Sequence, residues 1–169
     1  MESFLKIMAY IGLADTAVLV VVIIWGVIRW ADGILPALLR LGHGLASREV
    51  AIFAKGNNLS SLKSLLLDSK LFKQKNIREI TKIEDIGSSE GASVYLVFWS
   101  DWSNEITEIL NQKPNECALI VYAPYNEGRI PDPQMIQLDG TRHTAVTNFR
   151  GRLLNDIVTS MITTSYEKK

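Results

Sequence analysis

Apolar positions form one long run near the N-terminus and several short bursts after it. From Ile7 to Ile28 the chain reads IMAYIGLADTAVLVVVIIWGVI, 22 residues with one ionisable side chain, Asp15. A helix of that length is about 33 Å long, enough to cross a hydrocarbon core of about 30 Å. Trp25 and Trp30 stand at its C-terminal end, where amphipathic rings favour the interface. A cleaved signal peptide has a shorter apolar region, about 7–15 residues, followed by a small-residue cleavage site. Here the run is longer and continues into Arg29-Trp30-Ala31-Asp32. The pattern predicts a retained single-pass anchor over residues 1–31.

The cations flanking the run orient it. Lys6 is offset by Glu2 on the N-terminal side, whereas Arg29, Arg40 and Arg48 follow on the other. The positive-inside rule then puts the N-terminus outside and the rest of the chain in the cytoplasm. Gly12, Asp15, Thr16 and Leu19 share one helical face by their i, i+3, i+4 spacing. A small and polar stripe suits helix–helix contact, so Gly12, Asp15 and Thr16 are candidate oligomer or pore-facing residues. A protonated Asp15, or one that reaches interfacial water, is the plainer alternative. Residues 32–46 (DGILPALLRLGHGLA) are too short to span and read as an amphipathic juxtamembrane segment. His43 within it has no ligand partner nearby, and no metal site is expected.

From residue 47 to 169 the periodicity changes to alternating strands and helices. Glu49–Ala54 is a short apolar run. Leu59, Leu62, Leu65, Leu66 and Leu71 then repeat at helical spacing. Asn76–Thr81 is a weaker strand and Ile83–Gly91 a short helix or loop. Ser93–Trp99 (SVYLVFW) is the strongest strand, followed by a helix over Ser103–Asn111. Ala118–Ala123 is another buried strand, Pro124–Pro133 a long loop, Met135–Leu138 a last short strand, and Val146–Thr163 a closing helix. Near-continuous apolar strands imply burial on both faces, and strand–helix alternation implies a parallel sheet. The predicted fold class is α/β, with a single transmembrane helix followed by a flavodoxin- or receiver-like domain. Its sheet is mainly parallel and five-stranded, in the order 2-1-3-4-5.

In such folds ligands collect beyond the C-terminal ends of the strands. That edge is expected to carry Lys55-Gly56-Asn57-Asn58, Ser100-Asp101-Trp102, Tyr125–Arg129 and Asp139–His143. Neither GxxxxGK[ST] nor GxGxxG occurs, so no cofactor is implied. A receiver needs an acidic pair after the first strand, where this chain has Ala54-Lys55-Gly56; only Asp101 matches, by position. Lys55, Gly56 and Asn57 are candidate anion-binding residues. Arg142, His143, Arg150 and Arg152 surround the last expected strand–helix junction and make a second candidate. Arg150 and Arg152 sit where the helix dipole disfavours cations, and Gly151 between them weakens the helix. Such local conflicts can mark a site for a nucleotide or other anion; ion pairing within the protein or between subunits also accounts for them.

Charge and cysteine usage narrow the picture. Eighteen Lys and Arg balance eighteen Asp and Glu, which excludes a generally basic nucleic-acid binder. The balance is not uniform. Lys55 to Lys82 carries seven cations against Asp68 and Glu79, while Ile83 to Glu127 carries eight anions against Lys113. Opposed flanks suit head-to-tail self-association; solvated faces with internal ion pairs are the plainer reading, and binding of the basic flank to anionic lipid is a third. The single cysteine, Cys117, excludes an internal disulfide and a cysteine-based zinc site.

Two resemblances add expectations. Phe98-Trp99-Ser100-Asp101-Trp102-Ser103-Asn104-Glu105 resembles the strand–serine–tryptophan–glutamate pattern of TIR domains over about ten residues, with different spacing. That resemblance implies NAD cleavage supported by Glu105 or Glu108; solvated faces of a short helix are the plainer reading of both. The layout of a short anchor and a compact α/β domain resembles small membrane effectors of prokaryotic antiviral systems. It implies a non-enzymatic, oligomerising sensor in the bacterial inner membrane. A scaffold subunit of a membrane complex is the remaining alternative.

Overall fold

The computed structural model describes residues 1, 8, 12–13, 15–32, 48–127 and 129–165. The chain divides into two compact units, Met1–Gly42 and His43–Lys169. In the first, residues 15–32 are helical. Among the described residues no helix is long and apolar enough to cross a membrane. Asp15, Arg29 and Asp32 all fall within that stretch, while residues 7, 9–11 and 14 of the expected span lie outside the described residues. So do Lys6, Arg40, His43 and all of the 32–46 segment except Asp32. The Thr16 hydroxyl donates to the Gly12 carbonyl at 2.7 Å, so this small polar stripe bonds back to its own helix. The Arg29 guanidinium lies 5.4 Å from the centre of the Trp25 ring.

The second unit is built on five parallel strands: β1 Val50–Phe53, β2 Ile77–Ile80, β3 Val94–Phe98, β4 Ala118–Tyr122 and β5 Thr144–Thr147. Their order is β2-β1-β3-β4-β5, as the apolar pattern predicts. Every neighbouring pair is parallel, with Val50 opposite both Ile77 and Val94, and Leu119 opposite Thr144. Among its described residues five helices follow in chain order: α1 Gly56–Asp68, α2 Trp99–Trp102, α3 Ile106–Gln112, α4 Asp132–Asp139 and α5 Arg150–Ser165. A 3₁₀ helix over Ile83–Ser89 replaces a full helix between β2 and β3.

All residues of β1, β3 and β4 are buried, because helices cover both faces of the sheet. On one face Val50, Ile52, Val94, Leu96, Ala118 and Ile120 meet Leu62 and Leu66 of α1 and Leu153, Ile157 and Met161 of α5. The i, i+4 spacing of both helical sets makes these stripes, and each buried aliphatic contributes roughly 1.5–3 kcal/mol. On the other face Ala51, Phe53, Tyr95, Val97, Leu119 and Val121 meet Ile86, Trp102, Ile106, Ile109, Ile130 and Leu138. Single-residue alternation along each strand thus serves two layers.

Three expected elements are corrected. Met135–Leu138 is not a strand; it lies within α4. Prolines at the start of a helix lose no intrahelical hydrogen bond, and Pro133 sits in the first turn. Met135 and Leu138, three residues apart, then face the sheet while Ile136 is 72% exposed. The fifth strand is Thr144–Thr147, so the closing helix begins at Arg150 rather than Val146. The helix expected over Ser103–Asn111 begins only at Ile106, as α3; residues 103–105 are a turn, and the separate short helix α2 precedes them, at the end of the expected strand SVYLVFW.

Tyr95 illustrates how tightly the second layer is sealed. It is 1% exposed, its ring packs 5.1 Å from Phe53, and its hydroxyl lies 2.7 Å from that of Ser89. Burial pushes its phenol above the usual tyrosine range. The folded state therefore holds the phenolic proton at pH values where the unfolded chain releases it. Stability from this group is present below a pH of about 10 and is lost as pH rises beyond that. In urea titrations between pH of about 8 and 11, the stability advantage of wild type over Tyr95→Phe is expected to shrink steadily above about 10. A constant difference would refute the assignment.

Candidate functional site

The sheet order reverses between β1 and β3, and the loops after these strands meet there. Helix α1 begins beyond β1 with Lys55 as its N-cap residue and no side-chain cap of its own. Gly56 takes φ +52°, which lets the chain turn from strand into helix within two residues. The missing cap comes from 46 residues away. Asp101 Oδ2 accepts the Lys55 backbone N–H at 2.7 Å, and Asp101 Oδ1 accepts the Asn58 side-chain amide at 3.0 Å. A carboxylate at this end also suits the helix dipole.

Asp101 is one of four consecutive residues, each with a separate task. Helix α2 leaves β3 directly, so its side chains fan out over the strand ends. Trp99 is buried in the second layer. The Ser100 hydroxyl donates to Glu127 Oε2 at 2.7 Å, reaching the loop after β4. Asp101 reaches back to the loop after β1. Trp102 is fully buried, with its ring edge-on to Phe53 at 5.6 Å and the Lys55 ammonium 4.8 Å from its ring centre. This single turn ties together the loops after β1, β3 and β4.

The expected site residues are distributed as follows. Lys55 and Gly56 lie at the switch point, and the Lys55 N–H already holds a carboxylate supplied by the chain. Asn57 is exposed in the first turn of α1. Glu105 is the N-cap residue of α3, and Glu108, in the first turn, accepts a hydrogen bond from Gln112 at 2.7 Å. The four residues of the second anion candidate are not brought together. Arg142 and His143 precede β5, whereas Arg150 and Arg152 follow it. Four strand residues, about 13 Å, separate the two pairs. His143 has φ +57°, and its carbonyl accepts the Leu119 N–H at 2.9 Å, fixing the register of β5 at its N-terminal end. Arg150 donates to Ser61 Oγ at 2.7 Å and to the Ser61 carbonyl at 2.9 Å, joining α5 to α1. Arg152 reaches Asp156 at 4.0 Å.

The misplaced fifth strand also hid a feature. Where β4 and β5 end, the Ala123 N–H donates to the Thr147 carbonyl at 2.9 Å, and beyond them a cleft of about 440 Å³ opens. Its lining includes Tyr125, Arg129, Asp132 and Asn148. The Pro131-Asp132-Pro133 sequence was the available signal for a helix starting here. Among the described residues no group of His, Cys, Asp and Glu is placed to hold a metal ion.

Charge is arranged by layer. Exposed Lys70, Lys73, Lys75, Arg150 and Arg152 lie with the α1–α5 layer; Asp68 and Asp156 are the anions of α1 and α5. Exposed Glu84, Asp85, Glu90, Glu108, Asp132 and Asp139 lie with the opposite layer, whose described cations include Lys113 and Arg129. No protein-family model, no curated protein and no solved structure matches the chain.

Proposed function

We propose that this chain is a membrane-anchored sensing and interaction protein that assembles through its parallel α/β domain. Residues 7–28 form its single span, with the N-terminus outside and the α/β domain in the cytoplasm. The reading rests on one observation: the two helical layers of one sheet carry opposite charge. A surface that is basic on one layer and acidic on the other is complementary to its own copy in a head-to-tail sense. Such contacts repeat, and they gather the attached spans into one patch of membrane. Apolar side chains from Val18 to Ile28 are exposed along the N-terminal helix, which supports its burial in lipid. Gly12, Asp15 and Thr16 lie on the face through which gathered spans would meet. This is the behaviour of a membrane effector of the kind its layout resembles.

Sedimentation of the full chain in non-ionic detergent tests the assembly. At about 0.02 M salt it should form large species that fall toward monomer by about 0.5 M, where the Debye length is a few ångströms. Lys70→Glu with Lys73→Glu and Lys75→Glu should weaken assembly at least about tenfold, since like charges then face each other. Glu84→Lys with Asp85→Lys and Glu90→Lys should do the same. Mixing the two variants should restore association. A monomer at every salt concentration, or an oligomer indifferent to salt and to both variants, would overturn the reading.

A further inference from the structure

The cleft beyond β4 and β5 has a composition that selects a class of ligand. Its floor is apolar: Ala123 and Ile130 are 8% and 6% exposed, and Met135 and Val146 are half-buried beside them. Its volume of about 440 Å³ lies in the range of small-molecule sites, and it opens at the C-terminal edge of a parallel sheet. A floor like this accepts a flat apolar body, and a methionine thioether adapts well to an aromatic ring.

The rim adds three polar or aromatic features. Tyr125 is 91% exposed, so its ring offers a free stacking face at the mouth. Arg129 and Asp132 pair at 2.9 Å, with side chains 87% and 78% exposed. A pair so open to water contributes little, and a ligand can compete for either partner. The guanidinium fork fits a phosphate, and the carboxylate accepts from an exocyclic amine. Asn148, exposed on the β5 side, offers a donor and an acceptor on one amide.

We propose that this cleft binds a nucleoside monophosphate, with the base over the apolar floor against Tyr125, its polar edge toward Asp132 and Asn148, and the phosphate on Arg129. An inorganic anion leaves the floor unused, and an apolar ligand leaves the rim unused. The site is distinct from Lys55 and Gly56, where the Lys55 N–H is already held by Asp101. It does not depend on assembly, so the two proposals fail separately.

The test is a methyl NMR titration of the full chain in non-ionic detergent, labelled at methionine and isoleucine methyls. The probes are AMP and GMP, with adenosine and inorganic phosphate as fragments. AMP should shift the Met135 and Ile130 methyl signals saturably, and GMP reports the preference for the base. Adenosine should bind at least about tenfold more weakly than AMP, the size of one lost charge-assisted hydrogen bond, and phosphate should leave both signals in place. Arg129→Ser should bring AMP to the affinity of adenosine, and Tyr125→Ala should weaken the binding nucleotide about tenfold. Both positions are exposed, so neither variant threatens folding. No shift with AMP, equal affinity for AMP and adenosine, or indifference of AMP binding to Arg129→Ser overturns the proposal.

Discussion

Replacing Trp102 with alanine is expected to lower the unfolding free energy of the α/β unit by about 3–5 kcal/mol. The side chain is fully buried, lies edge-on to Phe53, and carries the Lys55 ammonium over its outer face. Truncation leaves a cavity under the turn that joins three loops, and it removes the surface on which Lys55 rests. A loss of that size is a large part of the stability of an ordinary domain, about 5–15 kcal/mol. Trp102→Phe separates packing from polarity. The Trp102 Nε1–H has no hydrogen-bond partner among the described residues, a cost of about 1–3 kcal/mol that phenylalanine does not carry. The smaller ring loses contact area but removes that buried donor, so Trp102→Phe should stay within about 1.5 kcal/mol of wild type. Urea unfolding followed by far-UV circular dichroism measures both. A cost below about 1 kcal/mol for Trp102→Ala would show that the turn is not anchored by this ring.

That expectation also bears on the TIR-like stretch. The tryptophan that carried the resemblance is part of the core, with its ring edge-on to Phe53, which in turn packs on Tyr95. In this chain the residues of that stretch have structural tasks at an abrupt turn over the sheet. Trp99 and Trp102 seal the turn beneath, and Ser100 and Asp101 bond to neighbouring loops above. Pattern and packing coincide, so the pattern alone does not distinguish chemistry from support.

The central strands were legible because both of their faces are buried. SVYLVFW and ALIVYA have no polar face to blur them, and β3 and β4 fall inside the expected ranges. The edge strand was not legible. Thr144-Ala145-Val146-Thr147 is half-exposed along most of its length, so selection for apolar residues is weak there. Met135-Ile136-Gln137-Leu138 is more apolar and imitates a strand, although Met135 and Leu138 pack on the sheet at a helical spacing. Moving the strand by nine residues carries Arg142 and His143 from one end of the sheet to the other. The contacts that build the switch point were beyond reach for a different reason. Lys55 to Asp101 spans 46 positions and Arg150 to Ser61 spans 89, and neither end of either pair signals the other.

Charge blocks, by contrast, gain meaning from topology. In the order 2-1-3-4-5, right-handed crossovers put the β1–β2 helix and the closing helix on one face and the remaining connections on the other. A contiguous stretch of sequence therefore becomes a contiguous layer. The basic block includes α1 and the chain to β2, while the acidic block runs through the 3₁₀ helix, α2 and α3. Some of the charge is spent internally: Lys63 reaches Glu79 at 2.7 Å, and Arg78 reaches Glu49 at 2.5 Å. Lys70, Lys73, Lys75, Glu84, Asp85 and Glu90 remain exposed, and the proposed self-association is tested on these.

Asp101→Ala is expected to cost about 2–3 kcal/mol, more than removal of an ordinary helix cap. Two donors lose a charged acceptor at once: the Lys55 backbone N–H and the Asn58 amide. Lys55 cannot compensate locally, because its ammonium offers no acceptor and α1 has no side-chain cap. Asp101→Asn keeps an acceptor for one donor and loses the charge, so about 1 kcal/mol is expected. Asn58→Ala should cost about 1 kcal/mol in the wild-type background and nearly nothing beside Asp101→Ala, a coupling of about 1 kcal/mol in a double-mutant cycle. Ser100→Ala, which removes an exposed bond to Glu127, should stay within about 0.5 kcal/mol of wild type. Thermal and urea unfolding of wild type, Asp101→Ala, Asn58→Ala and the double variant give the cycle. Strict additivity of Asp101→Ala and Asn58→Ala would mean that the carboxylate does not hold α1 through that amide, leaving only its bond to the Lys55 N–H. The measured coupling thus decides whether this edge of the sheet is closed by the chain itself.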